Sequence, residues 1–204
     1  MEYDVLISII LYICSCFYLF LGIYAIISNI KTRTNRLFLC LALSMATWSF
    51  TYSIATSAPT AEASAFWRSI SVFGGGVFYS FLLHFALILT GIQNRLKNKR
   101  MIISLIYLPA VINIILFGPL GFFVEEVYQM VPSKFGWINM APMNFGRIWL
   151  ISYYLIYSII SIILLIRWQR KIEPRTILKQ QATYFLISVL ISFFIGFGAD
   201  ILPD

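Results

Sequence analysis

The side chain with the widest chemical reach in this sequence is its one histidine, His84. It stands inside an apolar run, Phe81-Leu82-Leu83-His84-Phe85. Burying an ionisable group among apolar residues is costly, so such a group is a functional candidate. Hydrolysis by a serine nucleophile needs a base within hydrogen-bond reach, and His84 is the single imidazole on offer. No Gly-x-Ser-x-Gly or His-Glu-x-x-His pattern accompanies it. A zinc-type metal site needs three or four ligands, and Cys14, Cys16 and Cys40 have no ligand spacing to the histidine. The sequence therefore carries no complete catalytic apparatus, no metal site and no cofactor motif. The cysteines read as small packing residues. His84 keeps two readings: a neutral imidazole bonded to a neighbouring helix, or a proton-sensing or ligand-contacting group.

A second set could recognise a molecule without transforming it. Arg68, Arg147, Glu125, Glu126 and Asp200 fall at the ends of apolar runs, with aromatic residues around them. Trp48, Tyr52, Phe66, Trp67, Phe73, Trp137, Trp149, Tyr153 and Tyr154 group toward the same side of the chain's topology. An interfacial aromatic belt accounts for many of these; an aromatic-lined pocket between helices uses the same residue types. The charges likewise read either as interfacial pairing and snorkelling or as a clamp on a charged ligand. The candidate ligand-contacting residues are Trp48, Tyr52, Trp67, Arg68, His84, Trp137, Arg147 and Asp200.

The elements that must position these residues follow from composition. Hydrophobic types make up 60% of the 204 residues and charged types 11%, and mean hydropathy is +0.86. Soluble domains carry about 25% charged residues, so lipid is the solvent this chain fits. A spanning helix needs about 20 mostly apolar residues. Six runs qualify, at about 3–28, 37–57, 65–91, 101–117 (with a possible extension to 123), 148–168 and 181–202. The fold class predicted is an all-α polytopic bundle of about six transmembrane helices, a single domain over 1–204. Uniform apolar runs lack the alternation of barrel strands. Acidic Glu2 and Asp4, with a first run too long for a signal peptide, make that run a true span. The triple glycine at 74–76, with Gly196 and Gly198, predicts close helix approach.

Charge sets the expected orientation. Twelve of the fifteen basic residues follow the first, third and fifth runs: Lys31, Arg33, Arg36; Arg95, Lys97, Lys99, Arg100; Arg167, Arg170, Lys171, Arg175 and Lys179. Arg68, Lys134 and Arg147 lie on the other side. Basic loops stay cytoplasmic, which puts the N-terminus outside. A net charge of +7 spread over short loops fits a membrane surface, and nucleic acid is not expected as a partner. The stretch 118–146 is the one long outer connection, and a loop of that length is a functional candidate.

The order of motifs resembles the N-terminal seven-helix membrane region of bacterial sensor histidine kinases. A short basic turn leads into Asn35-Arg36-Leu37-Phe38, then Trp48-Ser49-Phe50, then Phe66-Trp67-Arg68. The glycine stretch, Phe81-Leu82-Leu83-His84-Phe85-Ala86-Leu87, Thr90-Gly91, Phe135-Gly136-Trp137 and Leu202-Pro203 follow. The resemblance implies a bacterial, multi-pass inner-membrane sensor that binds an unidentified small ligand. It also implies a seventh helix beyond residue 204, a cytoplasmic kinase or other output domain as partner, and a possible homodimer. Membrane lipid is the remaining partner. The alternatives are a small transporter or permease component, which needs a polar path across the bilayer, and a structural membrane subunit.

Overall fold

A computed structural model describes residues 2–201, with side chains described through residue 190. The chain opens with α1 (Asp4–Ser28) and α2 (Arg33–Thr56). The Thr32 hydroxyl caps α2 by accepting from Asn35 N at 3.4 Å. These two helices form a closely packed antiparallel pair. Gly22 makes the approach possible, since a Cβ there would stand 3.0 Å from that of Ala42.

The third apolar run is not one helix. α3 (Ala61–Ile70) starts at Thr60, whose hydroxyl accepts from Ala63 N at 3.2 Å. It passes through a 3-10 turn, Ser71–Phe73, and resumes as α4 (Gly75–Leu89). Gly74 occupies the break. A Cβ there would lie 2.4 Å from the Ser44 carbonyl oxygen and 2.5 Å from Trp48 N, so α2's backbone fills the space a side chain would need. Gly75 rests against the Trp48 ring, 3.3 Å from the virtual Cβ. The glycine run is thus a close-packing device, as small residues in membrane bundles generally are.

A short turn α5 (Ile92–Arg95) precedes α6 (Lys99–Phe117), which contains Pro109. The connection after α6 is ordered. It holds one helical turn, α7 (Val124–Val127), and an antiparallel hairpin of β1 (Met130–Ser133) and β2 (Gly136–Asn139), with Met130 opposite Asn139 and Ser133 opposite Gly136. The chain is mostly helical, 77% of the structure, and this two-stranded hairpin is its departure from the all-α expectation. α8 (Phe145–Lys171) is capped by the Asn144 side chain, which accepts from Arg147 N at 2.8 Å, and α9 (Ile177–Ile201) follows.

α4 is the hub, packed on α2, α6 and α8. One apolar cluster sits toward the hairpin, at Val72, Phe117, Val127 and Leu150; another lies at the opposite end, at Leu83, Ala86, Ile106, Leu164 and Leu165. Five helical segments among the described residues are long and apolar enough to cross a membrane: Asp4–Ser28, Arg33–Thr56, Ala61–Leu89, Lys99–Phe117 and Phe145–Lys171. The sixth expected run forms α9, and its terminal Leu202 lies outside the described residues. On α1, Phe17, Phe20, Tyr24 and Ile27 are each more than 60% exposed, an arrangement suited to lipid and unsuited to water.

Gly74→Ala tests the close approach. Its methyl meets α2 backbone that has no room to yield, and overpacking of this kind costs about 1–3 kcal/mol. The expected outcome is a lower melting temperature in detergent or nanodiscs. A melting temperature equal to wild type would show that the helices part freely.

Candidate functional site

The residues that converge lie at the hairpin end, and the hairpin creates the convergence. Gly136 turns with φ of +105°, a region that favours glycine. A Cβ there would also stand 2.4 Å from the Thr56 carbonyl oxygen at the end of α2. This contact lays Trp137 across the tops of α2 and α3. Trp137 Nε1 donates to the Ala58 carbonyl at 2.7 Å. Arg68 reaches up from α3 and donates through Nη2 to the Trp137 carbonyl at 2.8 Å. The Arg68 guanidinium carbon lies 4.1 Å from the centroid of the Tyr52 ring, a cation–π contact. Trp48 packs edge-on to Tyr52 with centroids 5.5 Å apart. Trp48, Tyr52, Arg68 and Trp137 therefore form one group.

The cation in this group has no carboxylate partner among the described residues, and its Nε–H is buried without a hydrogen bond. One turn earlier on the same helix, Ser64 is fully buried and its hydroxyl is also unpartnered. Tyr128, from the connection after α7, faces Tyr52 and Arg68. Burial pushes its hydroxyl well above the ordinary tyrosine range, and the nearby guanidinium opposes that only in part.

Beside this group an open groove of about 380 Å³ runs between α3 and the 119–130 segment. Ala65 and Phe66 of α3 face Val124 and Met130 across it, with Glu62 and Glu125 as its acidic residues and Tyr128 in its wall. Tyr128 is thus shared between the groove and the arginine group.

The other expected residues stand apart. Trp67 packs edge-on to Phe66, with centroids 6.0 Å apart. Arg147 serves the connection, donating to the Ala141 carbonyl at the start of α8. His84 lies in the second half of α4, where Nδ1 and the Tyr107 hydroxyl are 2.9 Å apart. Its Nε2 is buried, with Gln93 as the neighbouring polar side chain. The Asp200 side chain lies outside the described residues. Among the described residues, no group of three histidine, cysteine or acidic side chains is placed to hold a metal ion.

Several participants were not singled out from the sequence. Asn139 organises the hairpin base: Nδ2 donates to the Val127 carbonyl at 2.7 Å, and Oδ1 accepts from Gln129 N at 3.0 Å. The N-terminus joins the hairpin tip, with Glu2 N and Tyr3 N donating to the Lys134 carbonyl at 3.0 and 2.9 Å. Tyr3 also stacks on Phe135, with centroids 6.0 Å apart. A polar residue flanked by short apolar stretches was the available signal for Asn139. For the N-terminal contact there was none.

A mostly helical bundle with five segments long and apolar enough to span a membrane, and a polar hairpin cap, defines the class as a polytopic membrane protein. The chain belongs to the family of the N-terminal 7TM region of histidine kinase, whose family model matches residues 8–200. That family is a sensor region and not a catalytic domain, so the chain is a membrane-embedded sensory input module. No curated protein and no solved structure matches it.

Two measurements probe this end. Trp137→Phe keeps a ring but deletes the Nε1 donor to Ala58, a bond worth about 0.5–1.5 kcal/mol net. Amides in the hairpin should then exchange with deuterium several-fold faster, and unchanged exchange would mean that the indole bond does not hold the cap. Tyr128 predicts a pH dependence. Its pKa is raised on folding, so the neutral form is favoured and its contribution is complete below the ordinary value of 10.0. The contribution is lost as pH rises beyond that value. The melting temperature should fall more steeply above about pH 10 in wild type than in Tyr128→Phe; coincident profiles would remove Tyr128 from this role.

Proposed function

We propose that this module senses a small ligand at the outer face of a bacterial cytoplasmic membrane and passes the signal to a cytoplasmic kinase or other output domain of a two-component receptor. The orientation rests on charge. Twelve basic residues lie in the connections after α1, α4 and α8 and in the helix turns that flank them, the end opposite the hairpin, and basic segments of this kind are retained in the cytoplasm. The N-terminus and the hairpin are then external. Membrane lipid covers the exposed apolar faces, and a homodimer is the expected assembly on the pattern of such kinases.

The observation that carries the reading is the Arg68 group. A cation held by a ring face and one carbonyl, with an unfilled buried donor and no carboxylate partner among the described residues, is available to a ligand acceptor. The groove beside it is of the size that small ligands occupy, and Tyr128 links the two. A ligand that seats against Tyr128 and draws on the Arg68 guanidinium competes with the Trp137 carbonyl. Bound and free states then differ in how the hairpin rests on α2 and α3, and the ligand biases the two by its difference in affinity for them. Trp48, Tyr52, Arg68 and Trp137 are the proposed ligand end, with Trp67, Arg147 and Asp200 as further candidates outside that group. His84 is a separate candidate contact, near the opposite end of α4, with its Nδ1 on the Tyr107 hydroxyl.

The test uses the full chain in nanodiscs, screened for small molecules that raise its melting temperature. A true ligand should lose at least about tenfold in affinity in Arg68→Gln, since a hydrogen bond to a charged group contributes about 1.5–3 kcal/mol. Single cysteines placed at Lys134 and Lys97 report orientation. Reagent that cannot cross the membrane should label the first in intact cells and the second only after permeabilisation. Affinity independent of Arg68, or the reverse labelling pattern, would overturn the corresponding half of the proposal.

A further inference from the structure

The break at Gly74 is followed by a turn whose hydrogen bonding is contested from two sides. In a regular helix the Ser80 N–H donates to the Gly76 carbonyl, four residues back. Both ends of that bond have a second partner here. Ser80 N donates to the Tyr153 hydroxyl of α8 at 3.1 Å. The Gly76 carbonyl accepts from Asn113 Nδ2 of α6 at 3.3 Å. Asn113 is fully buried, and its Oδ1 accepts from Trp149 Nε1 of α8 at 2.8 Å.

A second irregularity stands opposite. Pro109 has no N–H, which leaves the Leu105 carbonyl of α6 without its helical donor. The Tyr157 hydroxyl lies 3.5 Å from that carbonyl oxygen and 3.2 Å from the Ile106 oxygen. Ser80 Oγ donates to the Ile106 carbonyl at 2.7 Å and lies 2.8 Å from the Tyr153 hydroxyl. The turn after a glycine break is therefore strung between a proline-weakened helix and a tyrosine ladder, with side-chain groups bonded to its backbone.

We propose that the Gly76–Ser80 turn is a two-position hinge between α3 and the rest of α4. In the observed position the Ser80 amide is shared with Tyr153 and the Gly76 carbonyl is shared with Asn113. In the other position these two backbone groups bond only each other, the turn tightens, and Tyr153 keeps Ser80 Oγ. Intermediate positions are disfavoured because lipid offers no partner to a half-broken bond. Kinks in helices have causes of this type, where a side chain inserts into the ladder. Since α3 carries Arg68, the hinge sets the angle between the hairpin end and the distal part of α4. It does not depend on which ligand, if any, the hairpin end binds.

Pulsed electron resonance between spin labels measures that angle. Labels go at Glu62→Cys and Asn94→Cys, both exposed and flanking the hinge, in a chain with Cys14, Cys16 and Cys40 replaced by alanine, in nanodiscs. Wild type should show one dominant separation. Tyr153→Phe removes the alternative acceptor and Asn113→Leu the alternative donor. Each should move most of the population to the same second separation. Ser161→Ala, which removes a hydroxyl bonded only within α8 to the Tyr157 carbonyl, should leave the distance unchanged. Retention of the wild-type separation in either folded variant overturns the proposal, as do two variants that move to different separations. Failure of both to fold also overturns it, because the hinge requires a second folded arrangement.

Discussion

Everything in this bundle answers to one constraint: a backbone N–H or C=O placed at membrane depth must find its partner inside the protein. Long uninterrupted helices meet it automatically, and α1, α2 and α8 do so. The third apolar run breaks at Gly74, and α6 carries Pro109. Both faults lie where water cannot repair them. The repair comes from Asn113, Ser80, Tyr153 and Tyr157, which are drawn from three helices and aimed at backbone groups. Buried serines and threonines also occur along the regular helices, but these four reach across to other helices where the ladder is irregular.

The same constraint explains the form of the hairpin end. There the chain leaves the helices and needs sheet pairing, an asparagine base and caps to satisfy its backbone. A two-stranded hairpin alone is marginal. This one is held by the Thr56 backbone under Gly136, by the Ala58 carbonyl on the Trp137 indole, and by the N-terminal amides on Lys134. Arg68 completes the seam from below. A charged side chain at such a place is a costly way to anchor a hairpin, since Nε stays unpaired. That unpaired donor is the feature on which the proposed ligand contact rests.

A sensor of this kind needs a receiving surface and a means of moving something at the other end of the membrane. The proposed receiving surface and α3 are continuous through Arg68. α3 joins α4 through the break, and α4 touches α2, α6 and α8. The path from hairpin to basic loops therefore runs through the least regular part of the bundle, where the proposed hinge lies.

Much of this was legible in the residues. Composition alone demanded lipid, run lengths located the helices, and the glycine triplet announced close packing. Basic residues marked one end, and the order of the Trp48, Phe66-Trp67-Arg68 and His84 motifs pointed to the family that the match over 8–200 shows. The hairpin was hidden because Pro132 sits in its first strand, and proline argues against strand pairing unless the strand is an edge. The break in the third run was hidden because apolar content is blind to a 3-10 turn. Of the eight candidate residues, sequence could group Trp48, Tyr52, Arg68 and Trp137 only by side of the membrane. Their meeting depends on Trp137 crossing 69 positions to Arg68. Hydropathy reports how each residue partitions between lipid and water, which is a local property, so sequence by itself determined the solvent, the spans and the family. Which polar group reaches which carbonyl is a property of helices packed side by side, and only the tertiary structure decided it.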